Sequence, residues 1–332
     1  MTETLANYSL VAVYSAMAVY ALAFILYSLD LSRRSVQATR AADARAAAAE
    51  AAAESAAAAS AGGGVAVLER TAVPADSAEP ARRSGPRYLR AAIALTWIGW
   101  IIELGAAVFR GIAAGRVPWA NMFEFALTAT SIMIGVFLII QFWQDLKYLG
   151  AFITGFVTLA LGVATVGYYV DVAPLQPALQ SVWLVIHVFV ATLGTGFFAI
   201  GAALSVLQLL RSRRANGGLA RAAFLDTIPD ARRLEDLAYR VTVVGFVLWT
   251  FTLIAGAIWA NAAWGRYWGW DTKEVWTFVI WVLYAGFIHA RATRGWRGTR
   301  SAWLNIIAYA AVIFNFTIVN VFFKGLHAYS GL

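Results

Sequence analysis

The 332 residues are 61% hydrophobic and only 13% charged, about half the charged share of a soluble domain, so lipid is the expected solvent. The chain has no Cys, which excludes disulfides, thiolate metal sites, thiol redox chemistry and thioether attachment of any group to a CxxCH motif of its own. The net charge of +8 suggests a nucleic-acid surface only if the basic residues sit together on a soluble face, and their order along the chain argues otherwise.

A helix crossing a bilayer core needs about 20 apolar residues. Eight such runs are predicted, at roughly 8–28, 89–109, 122–142, 148–170, 182–210, 241–261, 275–290 and 302–323. The first has no basic segment before it, and Arg33 and Arg34 follow it. It reads as an anchor with its N-terminus outside, and not as a cleaved signal. Residues 29–87 are a linker: 41–61 is mostly Ala, followed by Gly62–Gly64 and a polar stretch to Pro86. The Ala-rich part has helical propensity, but the segment lacks the large apolar side chains that bury a core, so it is expected to be a cytoplasmic tether, partly disordered. The chain thus divides into an anchor (1–28), the linker (29–87) and one transmembrane domain (88–332), whose fifth run is long enough to tilt or to project past the membrane.

With the N-terminus outside, 21 of the 26 Lys and Arg fall on inner segments; only Arg110, Arg116, Arg266, Lys273 and Lys324 fall outside. Basic residues concentrate on the cytoplasmic side. The expected fold is an all-α polytopic helix bundle of about eight transmembrane helices in the plasma (inner) membrane, both termini outside. The charge follows from topology, and no nucleic-acid partner is expected.

The three His fall at telling places. His187 lies about six residues into the fifth run and His327 follows the last, both on the outer side; His289 lies near the inner end of the seventh. Two imidazoles at one depth on different helices suit a clamp on a metal or a haem iron, although a single His at a helix end is ordinarily an interfacial polar residue. Zinc competes as a ligand, but the outer loops add no third His, no Cys and few carboxylates (Asp171, Asp271, Glu274), so a macrocycle fits better than a bare cation. For His289, an intramembrane ionisable residue is a functional candidate by default; a hydrogen-bonded residue near the inner headgroups is the equally open alternative.

The most specific stretch is 259–276, Trp259-Ala-Asn-Ala-Ala-Trp264-Gly-Arg266-Tyr267-Trp268-Gly-Trp270-Asp271-Thr-Lys-Glu274-Val-Trp276. An interfacial aromatic belt needs far fewer rings. Rigid aromatic faces interleaved with Gly suit a flat hydrophobic ligand, and Arg266 and Lys273 suit its carboxylates. Asp271 with Glu274 three residues on reads as a capping box for the seventh helix. Asn121 with Glu124 reads as a cap too, with a role in shaping the outer cavity as the alternative. Glu103 lies in the middle of the second run, where it is expected to be neutral or paired.

WGRYWGWDTKEVW resembles the tryptophan-rich "WWD" loop of haem-handling proteins, the CcsA (ResC) family of System II cytochrome c biogenesis and, more distantly, CcmC and CcmF. LQPALQSVWLVIHV, LYAGFIHAR, FFKGLHAYSG and GRVPWANMFEF are similar to other segments of that family, in order, over roughly 88–332; the Ala-rich linker resembles that of actinobacterial members. The resemblance implies that His187 and His327 are external haem ligands and that His289 is the family's transmembrane His. It implies that Trp264, Arg266, Tyr267, Trp268, Trp270 and Asp271 belong to the loop that holds a non-covalent haem b. Haem would cross the membrane to the extracytoplasmic site. There it would meet the CxxCH of an apocytochrome c, with a CcsB/ResB membrane subunit as partner and a thioredoxin-like protein keeping the thiols reduced. The chain would then be part of a holocytochrome c synthase complex. The family has Pro where Thr272 stands here, which predicts a slightly less rigid helix start. Two other functions compete. A di-haem electron-transfer cytochrome b pairs His on facing spans, and no span here carries two. A transporter of haem or another hydrophobic ligand without synthetase activity remains open, because the chain has no conventional acid, base or nucleophile arrangement.

Overall fold

The computed structural model describes residues 2–61, 87–175, 180–219, 222–293, 295–323 and 325–326. Among the described residues the chain is an all-α bundle: α1 (Thr2–Ala61), α2 (Arg87–Ala114), α3 (Met122–Ile140), α4 (Gly150–Gly167), α5 (Val182–Ala215), α6 (Ala231–Trp264), α7 (Thr272–Ala292), α8 (Thr299–Phe316) and α9 (Ile318–Phe322). Eight of its segments are long and apolar enough to cross a membrane, as the hydropathy of the sequence predicts, and the protein is a multi-pass membrane protein.

Three boundaries differ from the hydropathy reading. α1 does not stop with its apolar run; it continues unbroken through the Ala-rich stretch to Ala61. Sixty residues at 1.5 Å each make about 90 Å, three times the bilayer core. Ala carries the helix on without any apolar face to bury. α6 begins ten residues before its apolar run, because Asp230 caps it by accepting from the Arg233 N–H at 2.7 Å and its first turns are charged. The last run is broken at Thr317 (φ −98°, ψ −71°) into α8 and α9.

Packing divides the bundle into two halves joined through α3 and α5. α1, α2, α3 and α4 surround a dense core that includes Phe123, Leu127, Ile134, Phe137 and Leu161. α1 belongs to that core through Val13, Ala16 and Tyr20, all fully buried. Glu103 accepts from the hydroxyls of Tyr20 (2.6 Å) and Thr130 (2.7 Å), which ties α1, α2 and α3 together in mid-membrane and satisfies the carboxyl group internally, as lipid requires. The second half, α5 to α8, packs around Phe198, stacked on Tyr284 with ring centroids 3.6 Å apart. α5 and α6 cross closely at Gly194 and Gly245, where an added Cβ would come within 3.3 Å and 3.1 Å of the opposite backbone carbonyl; small residues allow such contact between membrane helices.

Candidate functional site

At one end of the bundle the two halves leave a pocket that opens to the surface. Its walls are mostly apolar and aromatic: Trp119, Phe125, Trp249, Trp259, Tyr267, Trp268 and Phe316. His187 lines it from the first turns of α5.

His187 is oriented by its neighbours. Its ring packs over Gly256, where a Cβ would lie 2.8 Å from Cε1, and beside Trp259 at 5.6 Å between centroids. Nδ1 lies 3.1 Å from the Thr252 carbonyl oxygen. A carbonyl only accepts, so Nδ1 carries the proton and the neutral ring has its lone pair on Nε2. This tautomer is the one that a backbone carbonyl sets for a metal-ligating His.

The aromatic loop enters as α6 ends. Gly265 takes the left-handed conformation (φ 69°) and its N–H closes on the Asn261 carbonyl, a common helix stop. Beyond it, Glu274 organises the turn. One carboxylate oxygen accepts from the N–H groups of Gly269 (2.8 Å) and Asp271 (3.0 Å), and the other pairs with Arg266 at 3.2 Å. The Asp271–Glu274 capping box expected from the sequence is present in both halves, and α7 starts at Thr272 without the Pro of the resembling family. Trp264 lies 5.8 Å from Trp259. Trp268 and Trp270 meet edge to face at 5.8 Å. Trp268 and Tyr267 line the pocket, whereas Trp270 is 75% exposed and held at φ 60°, a region costly for a bulky side chain. Arg266, expected as a partner for ligand carboxylates, is occupied by Glu274.

Asp271 has a second task that the sequence did not announce. Its Oδ1 accepts from the Leu326 N–H at 3.0 Å. Gly325 makes room for this contact, since a Cβ there would come within 2.3 Å of the same oxygen. Leu326 is thereby fastened to the aromatic loop. His327 and Lys324 lie outside the described residues. His289 lies at the opposite end of the bundle, exposed on α7, with no hydrogen-bond partner for its ring among the described residues. Beside it, Arg291 is held by Glu235 at 3.0 Å and by Asp236.

Several lining residues escaped sequence reasoning. Trp119 sits in the turn before α3, its indole N–H donating to Thr128 Oγ1 at 2.8 Å. Asn315 and Asn320 come from the broken last span. Polar side chains inside an apolar run are the signal that could have found them; only packing tells which of them face a pocket.

A multi-helix membrane bundle with a histidine-bearing, tryptophan-walled pocket at one end is the class of protein defined here, and the relatives give it a family. Residues 119–327 match the Cytochrome C assembly protein family. Cytochrome c biogenesis protein CcsA of Guillardia theta is 33% identical over 240 residues, covering 67% of this chain and 80% of the relative. CcsA of Trieres chinensis is 31% identical over 252 residues, covering 67% of this chain and 81% of the relative. Among solved structures, cytochrome c haem lyase CcmF superposes with a TM-score of 0.60 at 16% identity, covering 94% of this chain and 46% of that one, which speaks for the fold alone. The chain belongs to the cytochrome c assembly protein family and is similar to its CcsA members.

Proposed function

We propose that the pocket binds haem b non-covalently and presents it for attachment to the CxxCH motif of an apocytochrome c on the extracytoplasmic face. The observation that carries this reading is His187: a pocket-lining imidazole whose Nδ1 is fixed by a backbone carbonyl, so that its ligating lone pair lies on Nε2. The donor set fits the group, because neutral imidazole is a standard axial ligand and the aromatic walls suit a flat ring. His327 is the second ligand.

In this reading haem supplies the vinyl groups to which the two cysteine thiols add, each sulfur bonding to carbon and each thiol hydrogen moving to the neighbouring carbon. The chain's own residues bind and orient. His187 holds one face, Trp119, Trp259, Tyr267 and Trp268 exclude water around the ring, and the Arg266–Glu274–Gly269 network holds the loop in shape. Trp264 and Trp270 complete the aromatic loop. Catalysis by positioning needs no acid, base or nucleophile from this chain. His289, exposed on a span at the other end, is the ligand of a second haem site completed by a CcsB/ResB-type subunit. Haem entering there crosses to the outer site, and a thioredoxin-like protein keeps the client thiols reduced. The charge distribution of the sequence supports the orientation with both termini and the pocket outside.

The test is a visible spectrum and pyridine haemochrome assay of the purified chain beside His187→Ala and His327→Ala. The expected outcome is b-type haem that is diminished, with altered axial ligation, in both variants. Haem equally retained in both sinks the outer site. Haem bound as expected, but with no thioether product when the partner subunit and apocytochrome are supplied, favours a transporter without synthetase activity.

A further inference from the structure

Lys273 is the one lysine or arginine among the described residues that lines the pocket, and it comes from the first turn of α7. Its ammonium reaches across to the broken last span, donating to the Asn315 carbonyl at 2.9 Å and to the Asn320 side-chain oxygen. It thereby spans the break at Thr317 with two of its three N–H donors. No carboxylate of the described residues forms an ion pair with it. Asp271 acts on it only at longer range, and both Asp271 oxygens are engaged, by the start of α7 and by Leu326. Glu274, the carboxylate in the pocket lining, is matched by Arg266 and two backbone N–H groups.

Next to this ammonium lies a polar group with nothing to bond. Asn315 is 4% exposed and lines the pocket, and its side-chain oxygen has no hydrogen-bond partner among the described residues. Buried amides are nearly always bonded, and leaving one unmet costs about 1–3 kcal/mol. A half-turn of the amide exchanges its oxygen for an N–H pair. An ammonium held only by neutral acceptors, in a mostly apolar cavity, lacks a counter-anion, and the Asn315 amide, once turned over, offers an N–H to the same anion.

We propose that Lys273 and Asn315, braced by Asn320, form a subsite for a carboxylate of the pocket's ligand, so that the pocket selects a flat hydrophobic acid over its neutral ester. The subsite rests on the haem reading above for the identity of that ligand, in which case the carboxylate is a propionate. It assigns the anion to the α7–α8–α9 wall and away from Arg266, whose guanidinium is already neutralised in the loop.

The experiment measures binding to the purified full-length protein in detergent. Haem, haem dimethyl ester, metal-free protoporphyrin IX and its dimethyl ester are each titrated against the native chain, Lys273→Met, Lys273→Arg, Asn315→Leu and His187→Ala. A hydrogen bond to a charged group predicts that the native chain prefers each acid over its ester by about tenfold. Lys273→Met should erase that preference by weakening the acids alone, Lys273→Arg should keep part of it, and Asn315→Leu should reduce it. His187→Ala should weaken haem far more than it weakens the metal-free porphyrin. An acid preference that survives Lys273→Met, or esters that bind the native chain as tightly as acids, overturns the subsite. Haem binding indifferent to His187→Ala overturns the haem reading instead, while the acid-to-ester ratio of the metal-free pair still decides the subsite. If Lys273→Met lowers the unfolding temperature, the ratio measured with Lys273→Arg and Asn315→Leu stands in its place.

Discussion

Two turns line the pocket from the two halves of the bundle, and they are built on the same local device. Before α3, Arg116 pairs with Glu124 at 2.7 Å, Asn121 caps the helix, and Glu124 reaches back to the Ala120 N–H. Before α7, Arg266 pairs with Glu274, Asp271 caps the helix, and Glu274 reaches back to Gly269 and Asp271. In each, the Arg stands five residues before the cap and the Glu three after it, with Trp between. The difference is in the surroundings. Glu124 is fully buried and holds a second guanidinium, Arg110, also fully buried, which in turn donates to the Val170 carbonyl at 2.6 Å. The Trp119 indole is tied down. Glu274 makes no second ion pair among the described residues, Arg266 is a third exposed, Trp268 lines the pocket and Trp270 stands out from the surface. One turn is a fixed wall of the bundle. The other is a loop held by its base, with its rings left available to whatever enters.

That contrast can be broken by measurement, and the largest effect falls on the wall. Glu124→Ala leaves Arg110 buried without its partner, at a cost of about 3–5 kcal/mol. Thermal unfolding in detergent should show a large loss of stability, with far less from Glu274→Ala, whose partner is screened by solvent; equal losses would erase the distinction between the turns. Asp271→Asn keeps a cap of similar strength but turns an amide toward the Leu326 N–H. Native hydrogen exchange should show that amide exposed about tenfold or more faster, as loss of a charge-assisted hydrogen bond predicts, and Gly325→Ala should do the same by displacement. Trp270→Gly relieves the left-handed strain and should raise stability by about 1 kcal/mol while reducing retained haem. Smallest is Thr272→Pro, which pre-sets the first helical residue and should stabilise α7 by about 0.4–1 kcal/mol, with no change in the absorption spectrum.

The site was legible in unequal parts. His187 could be placed at the loop end of the fifth helix by counting, because membrane thickness fixes depth along an apolar run. The capping box at Asp271 and the N-cap at Asn121 could be read because each rests on a contact between residues three apart. Trp119 carries no local signal of its role, which depends on Thr128 and on the facing half of the bundle. Arg266 looked like a ligand cation, and only the folded loop puts it against Glu274.

From the residues alone came what depends on local rules: eight apolar runs, their caps, the ends at which His187 and His289 stand, and the crowding of rings between α6 and α7. Hydropathy and helix signals act within a turn or a span, so they survive in one dimension. The tertiary structure decided which polar groups meet. Lys273 with Asn315 and Asn320, Asp271 with Leu326, and Arg110 with Glu124 and Val170 join residues 42, 47, 55, 14 and 60 positions apart. In lipid every such group must find its partner inside the protein, and which partner it finds is set by how the helices pack.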